Sequence, residues 1–140
     1  MIIFLSFRSA ICSGASVPYT PPVFTDALLD HFRNPRNVGD LPAATATVEV
    51  TNPICGDVLR LSARMEGGRI AEAKFKAQGC TAAIASSSVL TDLLIGKSPA
   101  EALAMPPEAI SQALGGLPPA TFHAAQLCAD AVAALVRKLC

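Results

Sequence analysis

Four side chains in this chain have the types that bind a soft or borderline metal. They are Cys55 and Asp57 in the run Asn52-Pro-Ile-Cys-Gly-Asp57, Cys80 in Gln78-Gly-Cys-Thr81, and His123 in Leu117-Pro-Pro-Ala-Thr-Phe-His123. Thiolate, carboxylate and imidazole together suit iron and zinc. Gly56 permits the tight backbone path that brings a thiol and a carboxylate to one point. Cys80 immediately precedes a helical pattern, so its sulfur is expected to face free N–H groups and a positive helix end, which depresses a thiol pKa. The residue after His123 is Ala124, where a third thiol would be most useful. Cys128 lies one turn further along the same helix face and is the candidate surrogate ligand.

Each of these residues also has an ordinary structural reading. A lone cysteine is commonly a small buried hydrophobe, Asp57 suits a turn, and His123 beside Phe122 suits a core. Ala124, Cys128, Ala131 and Leu135 trace an apolar stripe, which predicts a core position for Cys128. Cys12 and Cys140 stand at the termini as incidental thiols. Five cysteines at irregular spacing argue against a closed disulfide framework and favour a reducing, cytoplasmic setting.

The elements that must position these residues follow from the patterning. At 140 residues with 51% hydrophobic and 16% charged content, the chain fits one globular domain with a modest core. Eleven basic and eleven acidic residues balance without a basic cluster, which argues against binding nucleic acid. No apolar run reaches the ~18 residues of a membrane span. Residues 1–22 read as a flexible N-terminal extension or an over-early start, and 23–140 as the domain. Val23 to Phe32 follows helical spacing with Thr25 or Asp26 as cap, and Pro35 forces the exit. Thr45 to Thr51, Val58 to Met65 and Ile70 to Ala77 alternate as strands, with Glu66-Gly67-Gly68-Arg69 as a hairpin turn. From Thr81 onward the pattern is helical: Thr81 to Ile95 stopping at Gly96, a short helix opened by Ser98-Pro99-Ala100-Glu101, and another from Met105 to Gly115-Gly116. A last helix follows Pro118-Pro119 and runs towards Lys138. Strands followed by helices predict an α+β fold, a small three-stranded antiparallel sheet with helices packed on one face. The small residues Ala85 to Ser88 predict close helix packing, and His31, Arg33 and Arg36 a solvated helix end.

Several runs carry a family resemblance: Leu29-Asp-His-Phe-Arg-Asn-Pro-Arg-Asn-Val-Gly39, Ile54-Cys-Gly-Asp-Val58, Lys74-Phe-Lys76, Gly79-Cys80, Ala83-Ile-Ala-Ser-Ser-Ser88 and Leu117-Pro-Pro119. In this order, and across about residues 23 to 139, they resemble the IscU/NifU-type iron–sulfur cluster assembly scaffold. The resemblance implies an IscU/SufE-like fold and a transient [2Fe–2S] cluster, or zinc in its place, held by Cys55, Asp57, Cys80 and His123. Asp57 would keep the cluster labile. The resemblance further implies a pyridoxal-phosphate cysteine desulfurase as sulfur source, apo iron–sulfur proteins as recipients, and no enzymatic activity of the chain's own.

Two departures stand out. The family's third cysteine falls on Ala124, and its Leu-Pro-Pro-Val-Lys, read by an Hsp70-type chaperone, is here Leu117-Pro-Pro-Ala-Thr121. Loss of that lysine argues against chaperone-driven release. Two further readings stay open: a zinc-binding sulfur-acceptor or regulatory relative that assembles no cluster, and an interaction protein that has lost the site.

Overall fold

The structure is a computed structural model that describes residues 24–53 and 56–139. The expected extension (residues 1–22), the expected domain start at Val23, and Cys12, Cys55 and Cys140 lie outside the described residues.

Helix α1 (Asp26–Arg33) is followed by three strands, β1 (Ala46–Thr51), β2 (Val58–Glu66) and β3 (Arg69–Gln78). The helices α2 (Thr81–Leu94), α3 (Pro99–Ala104), α4 (Pro107–Ala113) and α5 (His123–Leu139) come next, the last preceded by a 3-10 turn at Pro119–Thr121. The strands form an antiparallel meander in the order β1-β2-β3. The β2–β3 turn is closed by a Glu66–Arg69 pair, and Gly67 and Gly68 take φ of 61° and 80°. Two consecutive positive φ values are what a two-residue hairpin with the native strand twist demands, and glycine supplies them without steric cost.

Alternation decides which sheet face is covered. Val48, Leu59, Leu61, Ala63, Ala73, Phe75 and Ala77 are buried on one side, where α2 and α5 pack. Arg60 and Lys76 lie on the other side and converge on Asp40, at 3.6 and 3.0 Å. The α+β expectation therefore holds, with strand limits within one residue of those read from the alternation.

Helix α1 begins later than its apolar spacing suggested. Thr25 is its cap, because its extended backbone leaves its side chain free to accept from the Leu28 N–H at 3.0 Å. The Thr25 hydroxyl also donates to the Leu114 carbonyl, tying α1 to the end of α4. At the other end, the Ser98–Glu101 capping box closes α3 as expected. The α1 end differs from its solvated reading. His31 Nδ1 lies 2.8 Å from Ser88 Oγ, the Arg36 backbone N–H donates to the same oxygen at 2.8 Å, and Arg36 pairs with Asp30 at 2.6 Å. Only Arg33 of that trio is exposed. Ser86, Ser87 and Ser88 are completely buried, so the serine run both permits close packing and anchors the loop after α1.

Candidate metal centre

Asp57 stands immediately before β2, and the loop that delivers it is closed by two backbone bonds. The Asn52 N–H donates to the Asp57 carbonyl at 2.8 Å, and the Gly56 N–H donates to the Asn52 carbonyl at 2.7 Å. Gly56 takes φ 72°, a left-handed conformation that favours glycine. Asp57 itself is only 5% exposed. A carboxylate so far out of water needs polar or charged company.

Cys80 is the cap residue of α2, one residue beyond the Gln78 end of β3 and Gly79. Its extended backbone turns the chain from sheet to helix, and its side chain closes no capping hydrogen bond. The α2 start meets the α5 start through the small residues Ala82, Ala83 and Ala124, all buried, with Leu117 packed against them. Methyl side chains let two helix ends approach closely, and that approach sets Cys80 beside His123. His123 is the first residue of α5, delivered by the 3-10 turn in which Thr121 donates to the Pro118 carbonyl through both its N–H and its hydroxyl.

Asp57, Cys80 and His123 thus each place one ligand atom within 4.8 Å of the others. His123 Nε2 and Asp57 Oδ2 are 3.6 Å apart. Donors around a tetrahedral zinc with bonds of about 2.0–2.3 Å stand about 3.3–3.8 Å from one another, so the carboxylate–imidazole pair already has the required span. The donor chemistry, one soft sulfur, one borderline nitrogen and one hard oxygen, fits zinc or iron. The His123 side chain is 33% exposed, which leaves the group open on one side.

One electrostatic expectation is overturned. The Cys80 thiol is pushed above its ordinary value, not below it. Although Cys80 is an exposed residue overall, burial of the thiol is the largest influence; the Ala83 N–H opposes it, and the Asp57 carboxylate adds a further upward push. The helix start does favour thiolate, as anticipated, but in the metal-free chain desolvation and a neighbouring negative charge outweigh it. A bound cation reverses the sign of that neighbourhood.

Cys128, the candidate surrogate, is 1% exposed within the main apolar core. Burial pushes its thiol up to about 12, opposed by the Ser87 hydroxyl beside it. In the sequence Gly79 reads only as the residue before Cys80; nothing in residue type marks a glycine whose role is the space it leaves.

Fold and donors together define a class: a small α+β protein whose sheet-to-helix junctions gather a thiol, a carboxylate and an imidazole. Residues 23–139 match the NifU-like N-terminal domain family, and the chain belongs to it. It is 43% identical over 110 residues to the iron–sulfur cluster assembly scaffold protein IscU 1 of Archaeoglobus fulgidus, covering 79% of this chain and 72% of that one. It is 40% identical over 131 residues to the iron–sulfur cluster assembly enzyme IscU of Drosophila melanogaster, covering 91% and 83%. Among solved structures, the N-terminal part of a NifU-like protein from Brucella abortus superposes with a TM-score of 0.66 at 23% identity, covering 82% of this chain and 92% of that one. That likeness shows the fold. Among the described residues, no helix is long and apolar enough to cross a membrane.

Proposed function

We propose that this chain is a scaffold on which iron and sulfide are assembled into a [2Fe–2S] cluster and held for transfer to apo-proteins. The observation that carries the reading is the convergence of Asp57, Cys80 and His123 donor atoms within 4.8 Å, in a member of the NifU-like family. In this reading Cys80 and His123 are anchoring ligands, and Cys55, two residues before Asp57, is the second thiolate. Asp57 is the exchangeable ligand: carboxylate oxygen holds iron less tightly than thiolate and lets a cluster leave. Cys128 is a core residue in this reading and takes no part in ligation.

The cluster is cargo here. The chain supplies positioned donors and an open side, and the sulfur chemistry belongs to a pyridoxal-phosphate cysteine desulfurase partner, so the chain is no enzyme in its own right. It works in the cytoplasm. Without a lysine at Thr121, release does not depend on an Hsp70-type chaperone.

Anaerobic reconstitution with ferrous iron, cysteine, a desulfurase and excess thiol reductant, which supplies the electrons that turn persulfide sulfur into sulfide, tests the reading. The expected result is the visible charge-transfer absorption of a [2Fe–2S] centre with matching acid-labile sulfide. A chain that stays colourless while holding one equivalent of zinc, lost in Cys80→Ser, would instead be the zinc-binding sulfur acceptor.

A further inference from the structure

Two glycines flank the Asp57 carboxylate, and they are there for different reasons. Gly56 has φ 72° and open space around its α-carbon, so its requirement is conformational. Gly79 lies outside the positive-φ set, so its backbone is one that other residues adopt. Its requirement is space. A Cβ built on Gly79 would stand 2.7 Å from Asp57 Oδ1, 2.8 Å from Asp57 Cγ and 3.1 Å from Ala83 Cβ. The first two separations are closer than carbon and oxygen atoms tolerate without moving apart.

The Asp57 backbone has little freedom to yield, so the added methyl group displaces the carboxylate itself. The Asp57 carbonyl is fixed by the Asn52 N–H, and the next residue, Val58, is paired with both Thr51 and Gln78 in the sheet. On its other side the carboxylate meets His123 at 3.6 Å. The bare α-carbon of Gly79 is therefore the floor on which the carboxylate rests, one residue from the Cys80 sulfur.

We propose that Gly79 is a positioning residue of the metal centre: its missing side chain seats the Asp57 carboxylate so that it points at the same place as Cys80 and His123. This rests on the metal-site reading above. The chemistry predicts that Gly79→Ala acts chiefly through Asp57, with a smaller strain against Ala83 Cβ that both backgrounds share, since alanine is otherwise well tolerated at ordinary φ.

The test is a double-mutant cycle on the full chain with Gly79→Ala, Asp57→Ala and the combination. Zinc affinity is read by competition with a chromophoric chelator, and the melting midpoint is read on metal-free protein. Gly79→Ala alone is expected to weaken zinc about 10- to 100-fold, the usual penalty for disturbing the support of a ligand. It is expected to lower the melting midpoint by about 5 °C through overpacking. On the Asp57→Ala background, where the obstructing carboxylate is gone, the same change should cost less than about threefold in affinity and less than about 2 °C. Wild-type zinc affinity in Gly79→Ala, or equal losses on both backgrounds, overturns the proposal. If the wild-type chain itself binds no metal, the metal-site reading fails. The melting cycle then decides the seat separately: coupled losses keep it and additive losses remove it. If Gly79→Ala does not fold, a folded double variant supports the seat and an unfolded one overturns it.

Discussion

The first turn of α2 and the middle of the same helix present two cysteine environments built from similar small residues. At the start, Cys80 stands at the junction of sheet and helix, in reach of Asp57 and His123. Two turns on, Ser87 of α2 faces Cys128 of α5, and everything around that thiol is core. Both thiols are raised by burial. What separates them is company: Cys80 has a carboxylate and an imidazole within ligand distance, whereas Cys128 has a hydroxyl and hydrocarbon. A cysteine becomes a metal donor through the polar groups the fold gathers around it, and chain ends of regular elements are where such groups can gather.

The sharpest way to break this contrast is to remove each sulfur in turn. Cys80→Ser should cut zinc or iron affinity by more than the about 10–100-fold seen for outer-shell partners, while the melting midpoint of metal-free protein changes little. Cys128→Ser should do the opposite, leaving metal stoichiometry intact and costing about 1–3 kcal/mol for a hydroxyl placed in the core, measured by urea unfolding. Equal loss of metal in both variants would erase the distinction. His123→Ala, which also removes a ligand, should follow with an affinity loss at or above the upper end of that range, about 100-fold; a wild-type isotherm by calorimetry would remove the imidazole from the site.

Titration separates the two thiols further. The Cys128 pKa in the folded chain lies near 12, above an ordinary value of 9.0. A raised folded-state pKa contributes stability that is complete below the unfolded value and is lost as pH climbs through the folded one. Metal-free protein should therefore lose stability progressively between about pH 9 and 12, and Cys128→Ala should flatten that slope in denaturant titrations. Cys80, also raised, should alkylate slowly near neutral pH and faster as pH rises. Cys128 should react only on unfolding. Comparable alkylation of both thiols in native protein would refute the assigned burial.

Much of this was legible in the chain, and the limits have physical causes. The period-two alternation of β1 to β3 and the Gly67-Gly68 turn predicted the meander because burial on one face leaves few other registers. Capping chemistry found α3 to the residue. It also named Thr25 among the two candidate caps of α1, and Thr25 fills that role; apolar spacing alone carried the helix too far back, past Phe24, which lies before its first turn. The convergence of Asp57, Cys80 and His123 is a tertiary fact that no local pattern encodes, and family resemblance, not spacing, nominated those residues together. The Cys80 shift has the opposite sign to the sequence expectation because a helix start is visible in sequence, whereas the burial and the Asp57 charge that outweigh it are not. Gly79 escaped for a related reason: its close approach to Asp57 spans two strands.

Ala124 lies on the border of the two regions and gives the subtlest test. It follows His123 directly, the position at which the sequence resemblance implies a third thiol, yet it is completely buried against Ala82 and Ala83. Ala124→Cys adds one sulfur to the contact that lets α2 and α5 approach. If the site governs, the reconstituted cluster should decay severalfold more slowly. Because the contact is tight, the metal-free variant should also lose about 1 kcal/mol through overpacking. Longer retention with that small destabilisation would place residue 124 in the ligand shell at the expense of packing. Unchanged retention with the same destabilisation would assign it wholly to the helix contact, and the methyl group would then be there to bring Cys80 and His123 together.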